Sequence, residues 1–396
     1  MPRHRRHRCP HLWRTTIVAM GLLLAVGRVH SVQPAFLPDD PLQREPDSQN
    51  ASRVRSWEIA LPYDLFHNFV TTARRRPSGV RAGNVNTIDE VPDSSWFTNR
   101  VGPRALSAAE LRNGPKTGPA PDSSSWTVIR EKSSGFAAGF TARDARGETR
   151  FLSFDAPSNP EGATGAIVVA TKLFWALGYN QVENHLSELR PEHVKIDPKA
   201  TVRRRSGRRT PMTEDDVAAV LARTAPRPDG AYRVTAGRMI PGRILGGFKY
   251  EGTRPDDPND VVEHQHRREL RALRVFGAWT NLTDMKAGNT LDSLEMLGGR
   301  GVVRHYLQDV GSTFGVGAQG PHDWSDGWEY LFEGGPALRR LFSLGLALSP
   351  WQTVPYEELA AIGRFEGEAF DPATWKPHVP VRAYIEMRDD DGFWAA

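Results

Sequence analysis

Asp284, Lys286 and Asn289 stand in the order D-x-K-x-x-N within NLTDMKAGN, and Asp309-Val310-Gly311 follows further along the chain. These residue types at this spacing suit phosphoryl transfer. One carboxylate accepts or orients the proton of an attacking hydroxyl, and a lysine neutralises charge on the transferred group. An amide and a second carboxylate supply the hard oxygen ligands that magnesium prefers. Asp284 is therefore the candidate base, Lys286 the phosphate contact, and Asn289 and Asp309 the candidate metal ligands. Either motif alone is common in loops, so the reading rests on their order and on the elements around them.

Residues 263–279 carry an apolar stripe at Ala272, Val275, Phe276 and Trp279, which predicts an amphipathic helix ending just before the first motif. Residues 293–297 and 302–308 flank Gly298-Gly299-Arg300-Gly301 and predict a hairpin between the two motifs. Such a hairpin brings Asn289 and Asp309 to one end of a sheet. Upstream, SSWTVIREK, GFTARD and TRFLSFD predict three short strands. The first two are joined by a turn carrying Gly135 and Gly139, the second and third by residues 144–147. A helix is expected from Thr164 onward, with Ala166, Val169, Leu173 and Leu177 on one face and Gly178 as its C-cap. Residues 200–231 form a basic, Pro-containing insertion with one short helix near 213–224; its arginines (203–205, 208 and 209) read as a solvated loop in preference to an anion site. Residues 232–250 read as one or two strands.

This succession resembles the catalytic loop and D-F-G metal motif of the protein kinases. The stretch from about Trp126 to Gly315 resembles atypical members of that superfamily, namely HipA-type, spore-coat CotH-type and secretory-pathway kinases. The resemblance implies a two-lobed α+β protein-kinase-like fold with an irregular N-terminal extension. Residues 126–250 would form an N-lobe-like region, and 251–396 a C-lobe-like region whose last segment, AYIEMRDDDGFWAA, ends on the opening of a helix. It further implies ATP with magnesium or manganese, and a Gly135–Gly139 turn over the phosphates, although an ordinary hairpin turn has the same composition. The kinase pattern also calls for a lysine on the third strand and a glutamate on the following helix. Ser153 and Ile167 stand there, with Glu161 a turn and a half earlier; Lys132 or Arg143 is the candidate replacement cation. Val310 replaces the aromatic of D-F-G. Retained ligands favour an active phosphotransferase, whereas Ser153 and Ile167 favour a pseudokinase that binds or scaffolds without turnover. A structural envelope protein is the third reading.

The beginning of the chain sets its expected address. Arg3, Arg5, Arg6, Arg8 and Arg14, with no acid, precede an uncharged apolar run over 15–26 and the small-residue site Val29-His30-Ser31. This pattern predicts a cleavable export signal over residues 1–31 and an extracytoplasmic, periplasmic or secreted, destination. The single cysteine, Cys9, lies inside it, so the remaining 365 or so residues form no internal disulfide and depend on their core. Most of the +4 net charge also lies there, which leaves the rest near neutral and argues against nucleic acid as a partner. No later segment is apolar enough to span a membrane. The expected partners are a nucleotide and a protein, sugar or lipid acceptor. Residues 32–56 read as a polar, Pro-rich linker, and 57–125 as an irregular extension packed on the body; within it, NVNTIDEVPDSSWFTNR resembles a stretch of uncharacterised exported bacterial proteins. Glu263, His264 and His266 have metal-ligand types but read as surface residues, and Asn50 and Asn281 begin sequons. The G-x-G-x-x-G over 315–320 runs into Pro321 and opens no helix, so it is not a dinucleotide loop. G-x-S-x-G, H-E-x-x-H and Walker A patterns do not occur.

Overall fold

The computed structural model describes residues 37, 39–102, 104–132, 137–204, 206–355, 359 and 361–396. The expected export signal and Gly135 lie outside these residues. The chain is a mixed α+β protein. After helices α1 (Leu61–Thr71) and α2 (Ala108–Asn113), strands β1 (Trp126–Glu131), β2 (Gly139–Arg143) and β3 (Thr149–Phe154) form an antiparallel meander. Helix α3 (Gly162–Ala176) follows, then β4 (Asn180–Gln181), β5 (Asn184–Leu189) and β6 (Val194–Ile196). The basic insertion contributes β7 (Thr201–Arg203), β8 (Arg209–Pro211) and α4 (Glu214–Leu221), the last opened by a Thr213 capping box. Strand β9 (Tyr232–Arg238) completes a six-stranded sheet in the order β5-β9-β3-β2-β1-β6.

The two faces of this sheet differ because its strands alternate. Trp126, Val128, Phe140, Leu152, Phe154 and Val234 point to one side, where Val202, Met212, Val217 and Leu221 of the insertion cover them. The insertion is thus a lid on the sheet, while Arg203, Arg208 and Arg209 remain exposed as expected. The opposite side carries Gly139, Thr141, Phe151, Ser153 and Thr235, and α3 meets it at the β5 end, where Asn184 Nδ2 donates to Thr171 Oγ1 (3.1 Å).

A second sheet has the order β10-β11-β12-β4. Here β10 (Arg243–Gly246) flanks the hairpin of β11 (Thr290–Leu297) and β12 (Arg300–Leu307), whose register closes at Leu297↔Arg300. Gly298 and Gly299 take φ 56° and 81°, the left-handed pair that a tight two-residue turn requires. Helix α5 (Arg268–Thr280) leads into this sheet. The expected first turn is a separate 3-10 turn, His264–His266. His264 is buried there, hydrogen-bonded to the Lys249 carbonyl (2.5 Å) and Asp260 (2.7 Å), which corrects its reading as a surface residue. A short ribbon of β13 (Val316–Gly317) and β14 (Gly320–Pro321) occupies the G-x-G-x-x-G stretch. The chain ends in α6 (Gly334–Phe342), α7 (Arg382–Ile385) and α8 (Asp389–Ala395).

The N-terminal region is more ordered than its composition suggested. Residues 32–56 were expected as a linker, yet Ala51 and Val54 are buried against Leu245 and Val303 of the second sheet. Residues 84–100 enter the main core, where Val85, Val91, Trp96 and Phe97 pack with Leu270, Leu273 and Phe276 of α5. Trp96 also stacks on His305 at 3.5 Å between ring centroids. Single tryptophans and valines between Pro, Asn and Ser have no period to detect, so this burial is invisible to a periodicity test. The stripe on α3 is also rotated from the expected one. Ala163, Ala166, Ala170 and Phe174 are buried whereas Val169 is exposed, because small side chains let the helix approach closely.

Candidate functional site

Helix α5 delivers the first motif. It closes at Asn281, which adopts the left-handed conformation (φ 50°) that a C-terminal cap uses and asparagine tolerates. Asn281 is buried and accepts a hydrogen bond from Trp375 Nε1 (3.0 Å), so this sequon is a structural cap and offers no amide to a glycan. The chain then bends through Asp284 and Lys286, both half-buried, on either side of buried Met285. Lys286 Nζ donates to both carboxylate oxygens of Asp284 (2.8 and 2.7 Å). Asn289 closes a 3-10 turn, and its Nδ2 donates to the Asp284 backbone carbonyl (2.5 Å). Its amide oxygen has no partner among the described residues.

The hairpin returns the chain to this point. The backbone amides of Gln308 and Asp309 both donate to the Asn289 carbonyl (2.9 and 3.1 Å), clasping the two motifs together through one peptide. Asp309 is exposed, and its Oδ1 accepts from the Gly311 amide (3.0 Å). Helix α3 touches this second motif. A Cβ on Gly311 would lie 2.8 Å from Ile167 Cγ1, so only glycine allows the approach. The α3 position that faces Asp309-Val310-Gly311 is therefore apolar.

A buried polar layer underlies the loop. Ser312, next to the second motif, and Thr283, next to Asp284, both reach His322 Nε2 (2.9 and 3.4 Å). Burial pulls His322 down to about 4, so it is neutral at physiological pH. Its Nδ1 accepts from Asn281 Nδ2 (3.4 Å), which leaves Nε2 as the protonated nitrogen. His378 donates its backbone amide to the Thr283 carbonyl (2.8 Å) and pairs with Asp326 (3.1 Å). Burial opposes charge on His378, but the Asp326 carboxylate prevails and raises it above the ordinary imidazole value. None of this layer was singled out from the sequence. Thr283 and Ser312 adjoin the motifs, whereas His322 and His378 come from distant loops with no local signal.

The cations on the first sheet are sorted by register. Lys132, Gly139, Ser153 and Thr235 lie side by side across β1, β2, β3 and β9, so their side chains share the face that α3 occupies at the sheet's other end. Lys132 makes no ion pair or side-chain hydrogen bond among the described residues, and its Cδ lies 3.4 Å from where a Cβ on Gly139 would stand. Arg143 is on the same face but four residues further along β2, about 13 Å away, and is paired with Asp197 (2.7 Å). It is not brought to the site. Arg233, two residues before Thr235, is on the same face and diagonal to Ser153. It pairs with Glu161 (3.1 Å), the residue at the start of α3, and also acts on Asp155, whose carboxyl is raised by burial and held at the helix entrance by Thr164. The sequence reading had weighed Glu161 and overlooked Arg233.

The donor chemistry fits a hard divalent ion. Asn289 and Asp309 offer amide and carboxylate oxygens, and magnesium bound with a nucleotide typically takes only one or two protein ligands beside phosphate and water. Among the described residues no group of three or more His, Cys, Asp or Glu side chains forms a site that would hold a metal by itself. No family model, curated protein or solved structure matches the chain.

Proposed function

We propose that the chain is an exported ATP- and magnesium-dependent phosphotransferase of two-lobed, kinase-like fold. The observation that carries this reading is the clasp at Asn289. Its carbonyl accepts from the adjacent amides of Gln308 and Asp309 while its side chain binds the backbone of Asp284, which supports a shared role for Asp284, Asn289 and Asp309 in phosphoryl transfer. The meander β1–β3 followed by α3 supports the upper half of the reading, and α5, the loop and the β11–β12 hairpin support the lower.

In this account Asp284 accepts the proton of an acceptor hydroxyl as its oxygen forms a bond to the γ-phosphorus. The bond from that phosphorus to the β,γ-bridging oxygen breaks, and ADP leaves. Lys286 holds the Asp284 carboxylate in the resting state and swings one hydrogen bond toward the transferred group. Asn289 and Asp309 would hold a divalent ion, which supplies charge neutralisation on the phosphates when bound. Arg233, braced by Glu161, takes the part of the missing third-strand lysine from the neighbouring strand. Lys132 lies two strands from Ser153 on the other side, in the same row across the sheet.

Ser153 on β3 and Ile167 against Gly311 favour one alternative, a pseudokinase that binds nucleotide without turnover. Calorimetric titration with a non-hydrolysable ATP analogue and magnesium tests the site under both readings. Binding is expected in wild type and at least tenfold weaker in Asp309→Ala; equal affinity in the two proteins would remove Asp309 from the site.

A further inference from the structure

We infer that the chain docks on an anionic membrane surface through an apolar face built from α1 and residues 331–348. On α1, Tyr63, Phe66 and Val70 recur at helical spacing and are each more than 60% exposed. In residues 331–348, Phe332, Leu338, Leu341 and Phe342 are all more than half exposed, and Leu344 and Leu346 reach 90% and 86%. The Phe69 and Phe332 rings meet edge to face at 5.4 Å, which joins the two stretches into one surface. Leu61 on α1 packs against Gly288, and the Leu331 amide donates to the His378 carbonyl (3.0 Å), so this surface borders the candidate site. Apolar area of this kind and density marks a covered face.

Charge identifies what covers it. Glu333 is the only acid in residues 331–348, and Lys376 neutralises it (2.6 Å). Arg339, between Leu338 and Leu341, and Arg74 and Arg76, just beyond α1, are exposed and make no ion pair among the described residues. An apolar helical face flanked by unpaired arginines is the pattern of a segment lying in the headgroup region of an anionic bilayer. A second copy seated on the same patch would bring like charges together. The LGLAL run over 344–348 has no polar side chain with which to pair a protein partner. No helix of the described residues is long and apolar enough to cross a membrane, which agrees with a face that lies on the surface.

Hydrogen-deuterium exchange of the full chain, read by mass spectrometry with and without phosphatidylglycerol vesicles, tests this locally and independently of the N-terminal apolar run. Exchange over 61–71 and 331–348 is expected to slow several-fold with the vesicles. The double variant F332S/F342S, which alters only exposed side chains, should lose that protection while keeping its melting temperature. Replacing Arg74 and Arg76 by serine should raise the lipid concentration for half-maximal protection roughly thirtyfold. Unchanged exchange with vesicles would overturn the proposal, as would protection that instead follows protein concentration without lipid. Equal protection by phosphatidylcholine vesicles would overturn the assignment to an anionic surface.

Discussion

Replacing Arg233 by methionine keeps an unbranched apolar stem and removes the charged head, which tests the electrostatic part of its role. Its ion-pair partner Glu161 is 58% exposed, so the pair itself contributes no more than about 1 kcal/mol to stability. Against a phosphate in a partly desolvated cleft the balance differs. Two unit charges about 4 Å apart at an effective dielectric of about 20 interact by about 4 kcal/mol, which corresponds to nearly a thousandfold in rate. Arg233→Met is therefore expected to lower kcat/KM for phosphoryl transfer by 10²- to 10³-fold while moving the melting temperature by only a few degrees. Glu161→Gln, which loosens the brace and leaves the cation, should cost about tenfold. Arg143→Ala, at the far end of β2 and paired with Asp197, should leave the rate unchanged. Steady-state kinetics beside thermal unfolding separates the two effects. Full activity in Arg233→Met would refute the relocated cation. A fall in rate matched by an equal loss of folded protein would refute its electrostatic basis.

Two further outcomes follow from buried charge. His322 is held at about 4 by burial, below its unfolded value of about 6.5, so the unfolded chain binds its proton first. Its contribution is fully present above pH 6.5 and falls as pH drops toward 4, by about 3 kcal/mol. Urea titrations at pH 7 and pH 4.5 should show His322→Gln losing less stability between the two than wild type, and parallel losses would contradict this. Asp391 on α8 accepts from buried Arg268 (3.0 Å) and Arg271 (3.1 Å). Asp391→Ala leaves Arg271 without a carboxylate among the described residues, while Arg268 keeps Asp89 (2.7 Å), and should cost about 3 kcal/mol in urea denaturation. A loss below 1 kcal/mol would show that the arginines find other partners.

The sequence carried the site's order better than its surroundings. Strands β1 to β3, the helix after them and the hairpin between the motifs were legible because each has a period or a glycine turn of its own. Asp284, Lys286, Asn289 and Asp309 were legible as types at a spacing, and the clasp between Asn289 and Asp309 followed from the hairpin. What escaped depends on pairing across the chain. Arg233 matters because β9 lies beside β3, which no local pattern announces. His322 and His378 reach the loop from segments of irregular backbone. The arginines of α5 carry no local sign of burial; Asp391, returning from far along the chain, pairs with Arg268 and Arg271 inside the fold. Burial of residues 84–100 likewise required knowing which surface they cover.

The most direct test of the phosphotransferase reading is transfer of the γ-phosphate itself. The chain is incubated with magnesium and γ-labelled ATP, alone and with candidate acceptors, and labelled product is followed by mass spectrometry beside the Asp284→Ala variant. The account predicts transfer by wild type and a loss of 10²- to 10⁴-fold in Asp284→Ala, the range expected when a positioned general base is removed. Transfer by Asp284→Ala equal to wild type, or wild type that binds nucleotide and moves no phosphate, would contradict it.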